Sequence, residues 1–177
     1  MVVNMKAALS FGLPAAIARV EDCADFGTTV SPYIWQLYSL PSALWALRSL
    51  DDFATLYLRI NPLVMAFAFS LAISPIFLLV SEVNKNYSQV DRMWSILPSL
   101  YNTHYAIWAH MAGLPVRRMD LVLLVSWVWS ARLTFNYWRK GGYSIGSEDY
   151  RWEIVAKKVG PLGMFLFNVS FISFGQS

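Results

Sequence analysis

The residues best suited to chemistry gather in two short stretches. One is Ser81-Glu82-Val83-Asn84-Lys85-Asn86-Tyr87-Ser88-Gln89-Val90-Asp91-Arg92, and the other is Arg139-Lys140-Gly141-Gly142-Tyr143-Ser144-Ile145-Gly146-Ser147-Glu148-Asp149-Tyr150-Arg151-Trp152. Both mix carboxylates, cations, hydroxyls and amides, a lining that suits the head group of a small molecule or cofactor. Glu148 and Asp149 have the chemistry of a general acid or base. Adjacent carboxylates in a loop are more commonly solvated or ion-paired. Arg139-Lys140-Gly141-Gly142 puts two cations beside two glycine N–H groups, which suits a phosphate nest. A basic membrane flank followed by a turn has the same composition. The glycine spacing from Gly141 to Gly146 resembles a P-loop, but Ser147-Glu148 stands where Lys-Ser/Thr is required.

Arg132 is the most pointed single residue. With Asn136 and Arg139 it falls at i, i+4 and i+7, so the three share a helical face, and it lies roughly 10 Å along the helix from Arg139. An arginine inside an apolar helix costs several kcal/mol unless it snorkels or pairs. It therefore either reaches the interface or meets an acid, for which Asp91, Glu148 and Asp149 are the candidates. His104 and His110 do not share a face, and His104 reads as a hydrogen-bonded structural histidine or a proton shuttle. With Cys23 as the only cysteine and 2 histidines, a Cys/His metal site lacks ligands, and no internal disulfide is possible. Asn86-Tyr87-Ser88 is a glycosylation sequon, usable only on a lumenal loop.

Long charge-free stretches position these groups. Residues 61–81 contain no charge and read as a spanning helix around Pro75, which a membrane helix tolerates. Residues 93–116 form a second, wetter stretch, ended by Gly113 and Pro115. Its Ser95, Ser99 and Asn102 fall at i, i+4 and i+7, a stripe that must face other helices or a cavity. Residues 121–138 form a third, containing Arg132. Residues 163–177 begin a fourth after Gly160 and Pro161. Residues 33–50 are aromatic and broken by Pro41, and read as interfacial helices. The N-terminus carries Lys6, a modest apolar run and a signal-peptidase-like Ala16-Ile17-Ala18, but a plain tail is the preferred reading.

Composition agrees. The 177 residues are 56% hydrophobic, 16% aromatic and 14% charged, with mean hydropathy +0.43. Soluble domains carry about 25% charged residues, and the shortfall argues against both a soluble enzyme and a disordered chain. The net charge of +3 comes without a basic run, and nucleic acid is not an expected partner. The expected fold is all-α, a multi-pass transmembrane bundle of three full spans and the start of a fourth. Three crossings put Lys85, Arg92, Arg139, Lys140, Arg151, Lys157 and Lys158 on one side, against Arg48, Arg59, Arg117 and Arg118. The positive-inside rule then favours the first side as cytosolic.

The two polar stretches also carry a family resemblance. Val90-Asp91-Arg92-Met93-Trp94-Ser95-Ile96-Leu97-Pro98 resembles the VDRxWSxxP signature of a membrane family of unknown function, grouped with the steroid 5-alpha-reductase C-terminal domain. Arg132 to Tyr143, followed by Gly146-Ser147-Glu148-Asp149-Tyr150-Arg151-Trp152, resembles its second signature, an arginine-bearing helix followed by EDYRW. The likeness runs from about Pro62 to the end and is nearest to fungal members, which carry an extension comparable to residues 1–60. It divides the chain into 1–60, a tail with interfacial helices, and 61–177, a partial reductase-like transmembrane domain.

This resemblance implies a multi-pass endoplasmic-reticulum protein in the lipid bilayer. The wider superfamily contains NADPH-dependent reductases of steroid and sterol carbon–carbon double bonds, and isoprenylcysteine carboxyl methyltransferases. It implies NADPH as cofactor and a hydrophobic lipid or steroid as substrate. Arg132, Asn136, Arg139, Glu148, Asp149, Tyr150 and Arg151 are the expected cofactor-side residues, with no catalytic residue assigned and no metal. The resemblance also implies further helices beyond Phe174-Gly175-Gln176-Ser177 and an RHPNYFGE-like cofactor segment. A chain without that segment is expected not to catalyse alone. A methyltransferase relative and a non-enzymatic scaffold or accessory protein are the alternatives.

Overall fold

The computed structural model describes residues 25–177, and every regular element among them is helical. The signal-peptide reading at Lys6 and Ala16–Ala18, and Cys23, lie outside the described residues. In chain order the helices are α1 (Phe26–Thr29), α2 (Gln36–Trp45), α3 (Leu50–Arg59), α4 (Pro62–Asn84), α5 (Gln89–Met93), α6 (Leu97–Met111), α7 (Arg117–Arg139) and α8 (Tyr150–Phe167). A π-helical segment, Asn168–Ser173, continues α8. Two compact units are interleaved in sequence: residues through Ala68 with His104–Arg117, and Phe69–Thr103 with Arg118–Ser177.

Among the described residues, Pro62–Asn84 and Tyr150–Ser173 are long and apolar enough to cross a membrane, with mean hydropathies of 2.5 and 1.2. α4 starts where the sequence dictates. Pro62 occupies the first helical position, where its missing N–H costs nothing, and Asn61 Oδ1 accepts from the Leu63 and Val64 N–H groups at 3.0 and 3.4 Å. At its other end Asn86 N–H returns to Ser81 O, and Lys85 adopts φ +50°, so a lysine fills the left-handed position usually given to glycine.

Two segment boundaries differ from expectation. The stretch 93–116 is not one continuous helix. α5 ends at Met93 and α6 runs for 15 residues, about 22 Å, with a turn between them. The fourth stretch begins earlier than Gly163. Asp149 caps α8 by accepting from Arg151 N–H, so the helix opens inside the expected polar loop. It then passes through a kink at Gly160, where φ is 71° and ψ is 176°, and Pro161 supplies no N–H to mend the break.

The first unit is held by two apolar clusters, Leu40, Ile60 and Val64, and Leu58, Trp108 and Ala112. His104 Nε2 lies 2.9 Å from Pro62 O. A carbonyl only accepts, so Nε2 carries the proton and Nδ1 accepts from Tyr57 OH at 2.7 Å. Both ring nitrogens are thereby occupied, as in a structural histidine. Burial pushes the Tyr57 phenol up to about 12.

The second unit packs Phe77, Val90, Leu97, Trp152, Met164 and Ile172 into one core. The polar stripe faces α7. Ser95 Oγ meets Thr134 Oγ1 at 2.7 Å, Ser99 Oγ meets Ser126 Oγ at 2.8 Å, and Asn102 Nδ2 donates to Ser126 Oγ at 3.0 Å. Gly113 ends α6 with φ +70°, and Leu114 N–H returns to Ala109 O.

Candidate functional site

The two polar stretches dock onto each other, and their local sequences explain how. α7 ends in a Schellman motif: Gly142 N–H donates to Tyr137 O and Gly141 N–H to Trp138 O, with Gly141 at φ +79°. Only glycine takes that conformation without steric cost. These N–H groups cap the helix, so the phosphate-nest reading of Arg139-Lys140-Gly141-Gly142 is corrected to a helix stop. The following loop then meets the first stretch. Asn86 Nδ2 and Arg92 NH2 both donate to Ser147 O at 2.9 Å. Tyr87 N–H donates to a Glu148 carboxylate oxygen at 2.7 Å, and Asp149 N–H donates to Ser88 Oγ at 2.9 Å. Tyr143 OH donates to Arg92 O at 2.9 Å, and Trp152 Nε1 donates to Asp91 Oδ2 at 2.7 Å. The sequon is part of this fastening: Asn86 gives its side-chain N–H to Ser147, and Ser88 is fully buried.

Above the fastening lies a cavity of ≈250 Å³. α7 contributes Leu133, Asn136, Tyr137 and Lys140, which fall at i, i+3, i+4 and i+7. Asp91 comes from the first stretch, Trp94 and Ser95 from the turn that follows α5, and Asp149 and Arg151 from the second stretch. The structure therefore brings together Asn136, Asp149 and Arg151 of the expected site residues. It does not bring in the other four. Arg132 and Arg139 are exposed on α7, Tyr150 is 72% exposed, and Glu148 is tied to Tyr87. Among the described residues no ion pair reaches Arg132, because the acids offered to it are engaged elsewhere. The face that lines the cavity starts at Leu133, one residue on from the face through Arg132, Asn136 and Arg139. Lys140 and Tyr137 are the residues missed, and their i, i+4 spacing from Asn136 and Leu133 is the signal that would have found them.

Neither cavity carboxylate is free. Asp149 receives Arg151 Nε at 2.8 Å and NH2 at 2.9 Å, and these bonds hold its carboxyl below the usual 3.8, with burial opposing. A folded-state pKa below the unfolded value gives stability that is complete above about 3.8 and lost as pH falls through the lower folded value. Asp149→Asn is therefore expected to lower the melting temperature by a constant amount above about pH 5, a gap that closes on acidification below 3.8. Melting curves of both proteins across that range check this, and a gap that widens in acid counts against it.

Asn136, Tyr137 and Lys140 offer side-chain groups without hydrogen-bond or ion-pair partners among the described residues, so they are the groups able to hold a ligand. Lys140 suits an anionic group and Asn136 an amide or hydroxyl. A volume of ≈250 Å³ is below the ~300–1,000 Å³ that encloses a drug-sized ligand. Asp91 and Asp149 line the same cavity and Arg151 is paired with Asp149, so Lys140 is the cation left to meet an anionic group, and the volume does not hold a whole dinucleotide. No group of His, Cys, Asp or Glu among the described residues is arranged to hold a metal.

Comparison with known proteins adds three findings. The profile of a protein family of unknown function, DUF1295, matches residues 77–174. An uncharacterized protein of Schizosaccharomyces pombe is 36% identical over 155 residues, covering 85% of this chain and 44% of the relative. The chain thus spans less than half the length of that curated relative. No solved structure matches.

Proposed function

We propose that this chain, which belongs to the DUF1295 family of proteins of unknown function, is the N-terminal membrane part of a reductase-like protein. In this reading the full-length protein uses NADPH to reduce a carbon–carbon double bond of a steroid or lipid enone, and this length alone is inactive. The observation that carries it is the cavity where α7 and the two polar stretches meet, with Lys140, Asn136 and Arg151 in its lining. Those residues would bind and orient the anionic part of the cofactor, while NADPH supplies the hydride when bound. The remaining walls would come from the longer chain. The proposed placement is a multi-pass one in the endoplasmic reticulum, with α4 and the Tyr150–Ser173 helix, the two long and apolar enough to span, as its crossings. α7 has 23 residues, about 34 Å of helix, the length of a crossing without the apolarity of α4 and α8.

The test is NADPH binding and enone reduction by the protein extended to the length of its relative. Lys140→Ala is expected to weaken NADPH binding by about tenfold, and Arg132→Ala, outside the cavity, to leave it unchanged. Absence of NADPH binding by the extended protein would sink the reading, and tighter binding of S-adenosylmethionine would replace it with a methyltransferase. One observation favours a second reading, a non-enzymatic scaffold: the Asp91, Arg92 and Glu148 side chains and the Asp149 N–H all fasten one stretch to the other. That reading expects Asp149→Ala to change abundance or partner capture with no catalytic defect.

A further inference from the structure

A second cleft, of ≈470 Å³, opens beside the kink of α8. Glu82, Lys85 and Tyr87 line one side, and Pro161, Met164 and Phe165 the other. Gly160 itself lines it, and a Cβ there would meet nothing within 4 Å. The depth of the cleft follows from α4. The apolar part of that helix ends at Val80, and Lys85 follows by little more than a turn, roughly 7 Å along the axis. A bilayer is about 40–45 Å thick with its headgroups around a core of about 30 Å, so each headgroup layer is about 5–8 Å deep. The charged side of the cleft therefore lies at headgroup depth when α4 spans, with the apolar side beneath it.

The cleft carries separated charges and no net charge. Lys85 Nζ contacts Glu82 at 2.9 Å, and its side chain is 72% exposed. An ammonium has three donors, so this bond leaves Lys85 with capacity. The other Glu82 oxygen accepts from Asn168 Nδ2 at 2.8 Å, which fixes the carboxylate. Among the described residues the Tyr87 hydroxyl makes no hydrogen bond.

We propose that this cleft binds a zwitterionic glycerophospholipid. Lys85 and Tyr87 hold its phosphate, and Glu82 takes its primary ammonium. The glycerol and upper acyl carbons lie against Pro161, Met164 and Phe165. Binding exchanges one ion pair within the protein for two with the lipid, so neither charge is stranded. A lipid with a net negative charge gives Glu82 no cation and places like charges together. The inference rests on the bilayer placement of α4 and α8 proposed above and is independent of the reductase chemistry.

The test uses the full chain in nanodiscs of equal phosphatidylethanolamine and phosphatidylglycerol, with retained lipid read by native mass spectrometry after transfer to detergent. Phosphatidylethanolamine is expected to be retained over phosphatidylglycerol by about fivefold. Lys85→Gly and Glu82→Gln are each expected to bring that ratio close to parity. Both variants spare the fold. Glycine suits the φ of +50° at position 85, and glutamine keeps an oxygen for Asn168. Equal retention by the wild type, or an unchanged preference in both variants, overturns the site. Failure of the chain to resist carbonate extraction from membranes overturns the bilayer placement and the site with it.

Discussion

Replacing Trp152 with alanine is expected to be among the most damaging single changes in the second unit, lowering stability by about 3–5 kcal/mol. Trp152 is 6% exposed and sits in the core with Phe77, Val90, Leu97, Met164 and Ile172. Its ring packs near Phe167, with centroids 6.2 Å apart. Truncation opens a large cavity and also leaves Asp91 Oδ2 without the indole N–H at 2.7 Å. The two losses separate by substitution. Trp152→Phe keeps most of the volume and removes the donor, and is expected to cost about 1–3 kcal/mol. Thermal unfolding in detergent reads both, and proteolysis at the 144–147 loop reports whether the stretches have come apart. An alanine variant that melts with the wild type would show that Trp152 does not anchor this core.

Gly142→Ala is expected to be the second large effect. A Cβ there would lie 2.4 Å from Tyr137 Cε1 and Cζ, far inside contact distance. The ring must move to make room. Tyr143 stands edge-on to it, with centroids 5.0 Å apart, and is held by its bond to Arg92 O, so the ring can retreat only into the cavity that it lines. Overpacking of this kind costs about 1–3 kcal/mol. Gly146→Ala is the control, because its φ is +81° but its Cβ would meet nothing within 4 Å. It carries only the left-handed penalty of about 1–2 kcal/mol. In a Tyr137→Ala background most of the Gly142→Ala loss should vanish, since the pair is in contact. Full persistence there would place the clash elsewhere.

The elements were largely legible, and the reasons are local. A proline after an asparagine starts α4, and an uninterrupted apolar run carries it. Gly113 and Gly141 stop helices because their φ is positive and a side chain there is strained. The stripe of Ser95, Ser99 and Asn102 was readable from its helical period, and it needed a neighbour because unsatisfied hydroxyls and amides are costly. The start of α8 was missed because its cap lies within a run of polar residues. Asp149 reads there as a loop carboxylate until its bonds to Arg151 are seen.

The site was legible only in part. Sequence picked out two polar stretches, and the structure docks them onto each other, since polar residues between apolar runs must collect where the helices end. It chose the face of α7 from its most conspicuous charge, Arg132, whereas the cavity is lined by Leu133, Asn136, Tyr137 and Lys140. The two faces are about 100° apart, and Asn136 belongs to both.

What the sequence determined by itself is the helical, apolar character of the chain, the chemistry available in two polar stretches, and most helix ends. These depend on backbone propensity and period, which act within a few residues. What only the tertiary structure decided is the use of that chemistry. The Asp91, Arg92 and Glu148 side chains act across gaps of more than 50 residues as a fastening between the stretches, while the Asp149 carboxylate is engaged by Arg151. In the cavity the polar side chains left without partners among the described residues are instead Asn136, Tyr137 and Lys140. Whether a carboxylate is a ligand, an acid or a clasp depends on which donor lies within 3 Å of it, and that distance is set by packing between elements remote in the chain.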